Sequence, residues 1–332
     1  HISCMALDIC NKDIVWTSPN SFVASSNCAL YCGAEIDFVD IDINTGLISI
    51  QELIIKLEKA ASINKIPTLL IPVHLAGASC DMAAIKDLSK KYGFKIIEDA
   101  SHAIGGKYNG TNVGSCEYSD ITVFSFHPVK IITSGEGGAA TTNNPIYAEK
   151  LNILRTHGIE KNNDKFIFKT DKPWIYEQQL LGYNYRMTDI HAALGMSQLK
   201  KLDEFVNERN VIISRYKELF KNFECLSFLK VEDNVYSSFH LGVLILKSKA
   251  IKFHKEIFIF LRQSGIGVQI HYIPIHLQPY YQNLGFKIGD FPNSEKYAKS
   301  AISIPIYPGL TYSNQKYVYS KLKEILNYYK LG

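Results

Sequence analysis

Short apolar runs alternate with helix-length amphipathic stretches over the first 155 residues. Residues 13–17, 35–40, 68–73 and 95–98 are apolar runs bounded by turn formers, which predicts strands. The stretches between them carry helix punctuation. Residues 22–32 close on Gly33, Ser49 caps a helix reaching about residue 60, and Asp81 caps one over 82–92 that Gly93 ends. A further run, Ile121-Thr122-Val123-Phe124-Ser125-Phe126, stops at Pro128 and is followed by Lys130. It passes through Gly135-Glu136-Gly137-Gly138 into a short strand over 139–142. Strands alternating with helices predict βαβ units. The expected fold class is α/β, with a mainly parallel central sheet and helices on both faces.

The pattern changes further on. Asn144-Pro145 opens a helix reaching about residue 155, and a polar loop occupies 161–172. Thr188 begins a long amphipathic helix. Ala192, Leu194, Gly195, Leu199, Leu202, Phe205 and Val206 give it an apolar face to about 207, with a continuation to 220. The last third predicts strands over 239–246 and 267–272 and helices over 250–263 and 313–328, a smaller α+β unit. Asn, Glu and Asp gather without periodicity over 222–236. The expected organisation is a large domain over 1–222 and a small C-terminal domain over 223–332. Residues 1–7 read as the late part of an apolar helix with no N-cap, so a preceding segment is expected to be missing and the large domain to be N-terminally truncated.

Charge and cysteine content narrow the class. The net charge of +4 over 332 residues is small, and the lysines are interspersed with acids, so nucleic acid is not an expected partner. No apolar run reaches the roughly 20 residues of a membrane span. The seven cysteines are scattered and form no CxxC pair. They read as small buried apolar residues in a reducing compartment, with neither disulfides nor a metal site, and the expected location is cytoplasmic. Asn109-Gly110-Thr111 matches a glycosylation sequon, but Asn-Gly tolerates positive φ and reads better as a hairpin turn.

Ligands of open α/β sheets bind outside the carboxyl ends of the strands. Asp99 and His102 fall at such an end, as do Ser125 and, just beyond it, Lys130. A desolvated lysine there is poised for Schiff-base chemistry. A pyridoxal phosphate site needs an amine for the aldehyde, an anion for the pyridine nitrogen, donors for the phosphate and a flat face for the ring. Lys130, Asp99, Ser125, and Phe22 or His102 supply these types. Each has a plainer reading: Asp99 as a helix cap or half of an ion pair, His102 as a structural histidine, Ser125 bonded only to backbone, Phe22 as core.

The blocks around these residues carry a resemblance. They are Thr17-Ser18-Pro19-Asn20-Ser21-Phe22-Val23-Ala24-Ser25, Phe38-Val39-Asp40-Ile41-Asp42, Pro72-Val73-His74-Leu75-Ala76-Gly77, Glu98-Asp99-Ala100-Ser101-His102-Ala103 and Ser125-Phe126-His127-Pro128-Val129-Lys130. Gly135-Glu136-Gly137-Gly138, Gly182-Tyr183-Asn184-Tyr185-Arg186-Met187 and Gln269-Ile270-His271-Tyr272-Ile273-Pro274 follow. In this order, over nearly the whole chain, they resemble the DegT/DnrJ/EryC1/StrS sugar-nucleotide aminotransferases. The resemblance implies the aspartate-aminotransferase-like fold (fold type I) and pyridoxal 5'-phosphate as cofactor. It implies that Lys130 carries the cofactor and moves protons, Asp99 pairs with the pyridine nitrogen, His102 lies near the phenolic oxygen and Ser125 contacts the phosphate. Asn184 would reach the neighbouring subunit's site in a homodimer with composite sites, and Gln269, Ile270, His271 and Tyr272 would line the sugar-nucleotide pocket.

The His-Pro-Val-Lys and Gln-Ile-His-Tyr blocks look most like members acting in pseudaminic acid synthesis. They imply transfer of an amino group from L-glutamate to the C4 ketone of a UDP-linked 4-keto-6-deoxy-N-acetylhexosamine. Two alternatives stay open: another nucleotide-linked 4-keto or 3-keto sugar, and a non-catalytic remnant lacking the N-terminal part of the phosphate cup. Relatives that dehydrate sugars carry histidine in place of the lysine, and Lys130 speaks against that group.

Overall fold

The computed structural model describes residues 1–331. Its first half contains Ile2–Ala6 (α1), Ile14–Thr17 (β1), Ala24–Tyr31 (α2), Glu35–Phe38 (β2), Ile50–Ser62 (α3), Leu69–Ile71 (β3) and Met82–Tyr92 (α4). Lys95–Asp99 (β4), Ile121–Ser125 (β5), Gly138–Thr141 (β6) and Pro145–Leu154 (α5) complete it. The caps marked in the sequence are made. Ser49 accepts from Glu52 N, Asp81 from Ala84 N and Asn144 from Ile146 N. Asn109 and Gly110 both take positive φ in a hairpin joining Lys107–Tyr108 to Thr111–Asn112.

The six strands form one sheet in the order β2-β1-β3-β4-β5-β6, parallel except that β6 runs antiparallel to β5. Its strands read as continuous apolar runs because both faces are covered. Trp16, Leu70 and Ile96 point to one face and pack with Leu53 and Leu57 of α3 and Met82 and Ile85 of α4. Val15, Leu69, Ile71, Ile97 and Ile121 point to the other and meet Cys4 and Ala6 of α1, Ala29 of α2, and Leu151 and Leu154 of α5. Each fully buried Leu or Ile here contributes about 1.5–3 kcal/mol.

Two helices follow, Asp189–Leu199 (α6) and Leu202–Phe220 (α7). Leu226–Phe228 (β7), Gly242–Leu246 (β8) and Ala301–Ile304 (β9) form an antiparallel sheet in the order β7-β8-β9. One face of it packs with Ile212 and Tyr216 of α7, Ile257 and Leu261 of His254–Gln263 (α8), and Val318 and Leu322 of Tyr312–Tyr328 (α9). Val243, Ile245 and Ala301 on its other face join the core around Trp16. The two sheets are therefore seamed together.

The structure differs from the sequence pattern in two places. The single helix expected from Thr188 is two helices, broken at Lys200-Lys201. The apolar stripe of α7 draws it into the core of the small sheet, whereas no residue of α6 is buried. The strand expected over 267–272 is reduced to one pairing, Gln269 with Ser303. Its backbone donors go to side chains instead: Ile270 N–H to Gln269 Oε1 and Tyr272 N–H to Asn20 Oδ1. The segment thus leaves the sheet edge and turns toward the carboxyl ends of the central strands.

Candidate active site

The chain leaves β1 toward β2 on one side of the sheet and returns to β3 on the other. The resulting crevice is walled by the segments that follow β1, β3, β4 and β5. Asp99 is the last residue of β4. Its Oδ2 accepts from Ser25 Oγ at 2.5 Å and its Oδ1 from Ser101 N at 3.1 Å. Ser25 lies in the first turn of α2 and is itself bonded to Ser21 Oγ at 2.7 Å.

Pro128 ends the run out of β5, and the turn that follows, with Lys130 N donating to His127 O at 2.9 Å, brings in the lysine. Burial pushes the Lys130 amine below the ordinary lysine range, and the charge of Asp99 opposes that shift. No ion pair among the described residues includes either Asp99 or Lys130. An amine and a carboxylate close enough to feel each other are thus held without contact.

His102 stands beside them. Its Nδ1 accepts from Ala76 N at 3.4 Å, which leaves the proton on Nε2, 3.2 Å from the Tyr272 hydroxyl. The ring stacks on Tyr272 with an interplanar angle of 19° and lies 4.5 Å from His240. Burial first, then His240 and Lys130, push His102 well below the ordinary histidine range. His271, whose Nδ1 is 2.8 Å from Ser303 Oγ, is lowered to about 4 by burial and Lys130. Burial and Lys130 lower His240 as well. Three neutral imidazoles therefore surround the amine. Tyr272 is pushed up by burial and by Asp99, so its hydroxyl stays protonated.

The loop after β3 meets the 237–240 segment at Gly77, which has φ +103°. A Cβ there would lie 2.7 Å from Phe239 N and from Ser238 Oγ, so only glycine permits the approach. Ser238 Oγ donates to His102 O at 3.0 Å, and Arg209 Nη1 donates to Phe239 O, His240 O and Ile306 O. Behind β4, Glu98 accepts from Ser119 and Thr122, and bonds His74 at 2.7 Å. His74 Nδ1 accepts from Cys80 N, so the ring is the neutral Nε2–H tautomer donating to Glu98.

Of the residues singled out in the sequence, the structure gathers Lys130, Asp99, His102, His271 and Tyr272. Ser125 stands at the end of β5, its Oγ accepting from His127 N at 3.4 Å. Phe22 lies at the rim, 59% exposed and 6.3 Å from the Tyr272 ring. Asn184 is exposed on a segment that pairs with Thr156, and no hydrogen bond among the described residues joins its side chain to the cluster. Gln269 and Ile270 hold each other at the edge of the small sheet. Ser21, Ser25, His240 and Ser303 were not singled out. Ser21 and Ser25 follow β1, whose carboxyl end flanks the crevice, and that topology is the signal for them. His240 and Ser303 carry none.

A model of the DegT/DnrJ/EryC1/StrS aminotransferase family matches residues 1–323. The chain belongs to this family. The UDP-4-amino-4,6-dideoxy-N-acetyl-beta-L-altrosamine transaminase of Campylobacter jejuni strain 81-176 is 38% identical over 332 residues, covering 100% of this chain and 84% of that protein. Among solved structures, Helicobacter pylori PseC, an aminotransferase involved in the biosynthesis of pseudoaminic acid, superposes with a TM-score of 0.87 at 29% identity. The match covers 98% of this chain and 85% of that one. The putative sugar aminotransferase Spr1654 of Streptococcus pneumoniae in its PLP form gives a TM-score of 0.86 at 27% identity, covering 98% and 84%. As a DegT/DnrJ/EryC1/StrS aminotransferase, the protein has the type I fold of pyridoxal phosphate enzymes, uses that cofactor, and transfers an amino group to a sugar substrate.

The crevice fits the cofactor. A half-buried amine without an ion partner lies near a carboxylate that hydroxyl and amide donors hold in place and that no ion pair among the described residues includes. A neutral histidine ring, clamped on both nitrogens, lies beside them.

Proposed function

We propose that this protein moves an amino group from L-glutamate to the C4 ketone of a UDP-linked 4-keto-6-deoxy-N-acetylhexosamine, giving a UDP-4-amino sugar for pseudaminic acid and surface glycan synthesis. The observation that carries the reading is the unpaired Lys130–Asp99 couple at the ends of neighbouring strands. The substrate follows the Campylobacter relative and PseC.

When bound, pyridoxal phosphate supplies an electrophilic carbon and an electron sink. Lys130 would hold it at the aldehyde end. Asp99, with Ser25 and Ser101 each filling one lone pair, would keep acceptor capacity for the ring nitrogen. His102 offers a flat neutral face, and Ser125 Oγ a donor for the phosphate. Lys130 Nζ takes the proton from the glutamate α-carbon and returns one to sugar C4. Burial lowers its pKa, which shifts the amine toward the free base that can take a proton. His271 and Tyr272, with Gln269 and Ile270 outside them, form the wall proposed for the sugar nucleotide. Phe22 closes the rim.

The active unit is proposed to be a homodimer. Trp174, Leu181, Ile190 and Met196 are each at least 66% exposed within one stretch of the chain, and exposed apolar side chains that gather mark interaction surfaces. Asn184 lies within that stretch and would enter the partner's site.

The test is spectroscopic and chemical. The loaded protein absorbs in the visible, and L-glutamate bleaches the band. Lys130→Ala is expected to leave no glutamate-sensitive band and to cut turnover by at least about 10³-fold. A wild-type protein that stays colourless with cofactor would sink the site assignment. Turnover with UDP-linked 4-keto sugars of both C5 configurations, set against GDP-linked and 3-keto sugars, decides the substrate. Preference for either of the latter overturns the substrate reading and leaves the family standing.

A further inference from the structure

The small sheet turns one face to the central domain, and that face is apolar at Val243, Ile245 and Ala301. Ser303 of β9 shares it, paired directly across from Val243, and is only 6% exposed. A strand in this register calls for an apolar residue there, so a hydroxyl at that position has to be matched. Its partner is His271, whose Nδ1 lies 2.8 Å from Ser303 Oγ, and no other hydrogen bond among the described residues uses that oxygen.

The pair is held from several sides. Ser303 N donates to Gln269 O at 2.8 Å, and Ser303 O accepts from Gln269 N at 3.2 Å. The fully buried Tyr297 donates its hydroxyl to His271 O at 3.1 Å. The half-buried imidazole stands edge-on to Tyr272, with ring centroids 5.0 Å apart. Its Nε2 makes no hydrogen bond among the described residues.

The direction of the Ser303–His271 bond follows from what each atom can do. If Nδ1 carried the proton and donated it to Oγ, the buried serine hydrogen would have no acceptor. If the hydroxyl donates to Nδ1, only oxygen lone pairs go unused, and that is the smaller cost. The second arrangement leaves Nδ1 bare and puts the ring proton on Nε2. Burial and Lys130 lower His271 to about 4, so near neutral pH the ring adds no second cation beside the amine.

We infer that Ser303 is a positioning residue: its hydroxyl fixes His271 as the Nε2–H tautomer, and Nε2 donates a hydrogen bond to an acceptor oxygen of the sugar nucleotide. The inference rests on the reading of His271 as part of the sugar-nucleotide wall. It gives that wall a polarity, because the imidazole presents a donor and no acceptor to the substrate.

Two measurements test it. The first is ring-nitrogen NMR of histidine-labelled protein without substrate, with His271 assigned by its loss in His271→Gln. A protonated Nε2 and a bare Nδ1 are expected, and a mixture of the two tautomers in Ser303→Ala, which the apolar face accommodates. The second separates the half-reactions of the loaded enzyme. Bleaching of the visible band by L-glutamate involves no sugar and should keep its wild-type rate in Ser303→Ala. The concentration of UDP-linked 4-keto sugar that half-saturates return of the band should rise about three- to tenfold. Ser303→Thr, which retains the hydroxyl, should restore both the tautomer and the sugar affinity. A protonated Nδ1 in the wild type overturns the inference. So does an unchanged sugar affinity in Ser303→Ala, or an equal loss in both half-reactions. A preference for GDP-linked or 3-keto sugars strikes the substrate reading alone, since the tautomer is read without substrate.

Discussion

At the scale of single residues, the site depends on how Asp99 is held. Ser25 provides one of its two donors. Ser25→Ala removes a charge-assisted bond and should weaken cofactor binding by about 1.5–3 kcal/mol, roughly ten- to a hundredfold, read by titrating the visible band against cofactor concentration. Gly77 has a different job. Gly77→Ala forces a Cβ against Phe239 N and Ser238 Oγ at positive φ, so a loss of about 1–3 kcal/mol is expected in thermal unfolding. Its extent of cofactor binding should fall as His240 is pushed away from His102. Lys130, Asp99 and His102 were legible in the sequence because a parallel sheet delivers whatever follows a strand to one edge. Ser25 was hidden because helix serines are ordinary, and His240 because it comes from 138 positions beyond His102.

At the scale of elements, β4 is held from behind by the neutral His74, Ser119 and Thr122, all bonded to Glu98. Burial alone would push Glu98 up, and these bonds hold it below the usual carboxylate range. His74→Ala leaves a buried carboxylate short of a donor and should cost about 1.5–3 kcal/mol in chemical denaturation. Glu98→Gln, which keeps the shape and removes the charge, should cost less. The opposite ranking would show that Glu98 does not depend on the His74 donor. The elements of the central sheet were legible because caps and apolar parity agree there. The break at Lys200-Lys201 and the loss of the 267–272 strand were not, since both depend on what the chain packs against: α7 follows the small-sheet core, and Gln269 satisfies its neighbour's backbone.

For the whole molecule, the buried histidines set the acid limit. His271 has a folded pKa of about 4 against an ordinary 6.5, so between these values the unfolded chain binds the proton and the folded one does not. Stability therefore rises with pH across that window and is lost as pH falls from about 6.5 toward 4. His271 alone accounts for about 3 kcal/mol of this at the low end, and His102 and His240 act in the same direction. Urea midpoints at pH 7, 5.5 and 4.5 should fall steadily, with a smaller fall in His271→Asn. Ile190→Asp, at the most exposed apolar residue of α6, should shift the proposed dimer to monomer by ultracentrifugation and reduce turnover while leaving the fold intact. No helix among the described residues is long and apolar enough to cross a membrane.

The hydrogen bond between His102 and Tyr272 spans 170 positions of chain. On a ribosome, the strand bearing Asp99 and the turn bearing Lys130 emerge long before Tyr272 does. A nascent chain arrested before residue 237 has neither His240 nor Tyr272 against His102, so it offers the cofactor an open ledge in place of a closed crevice. Cofactor capture should accordingly be a late event in biogenesis, and the visible band a report that the last third of the chain has docked.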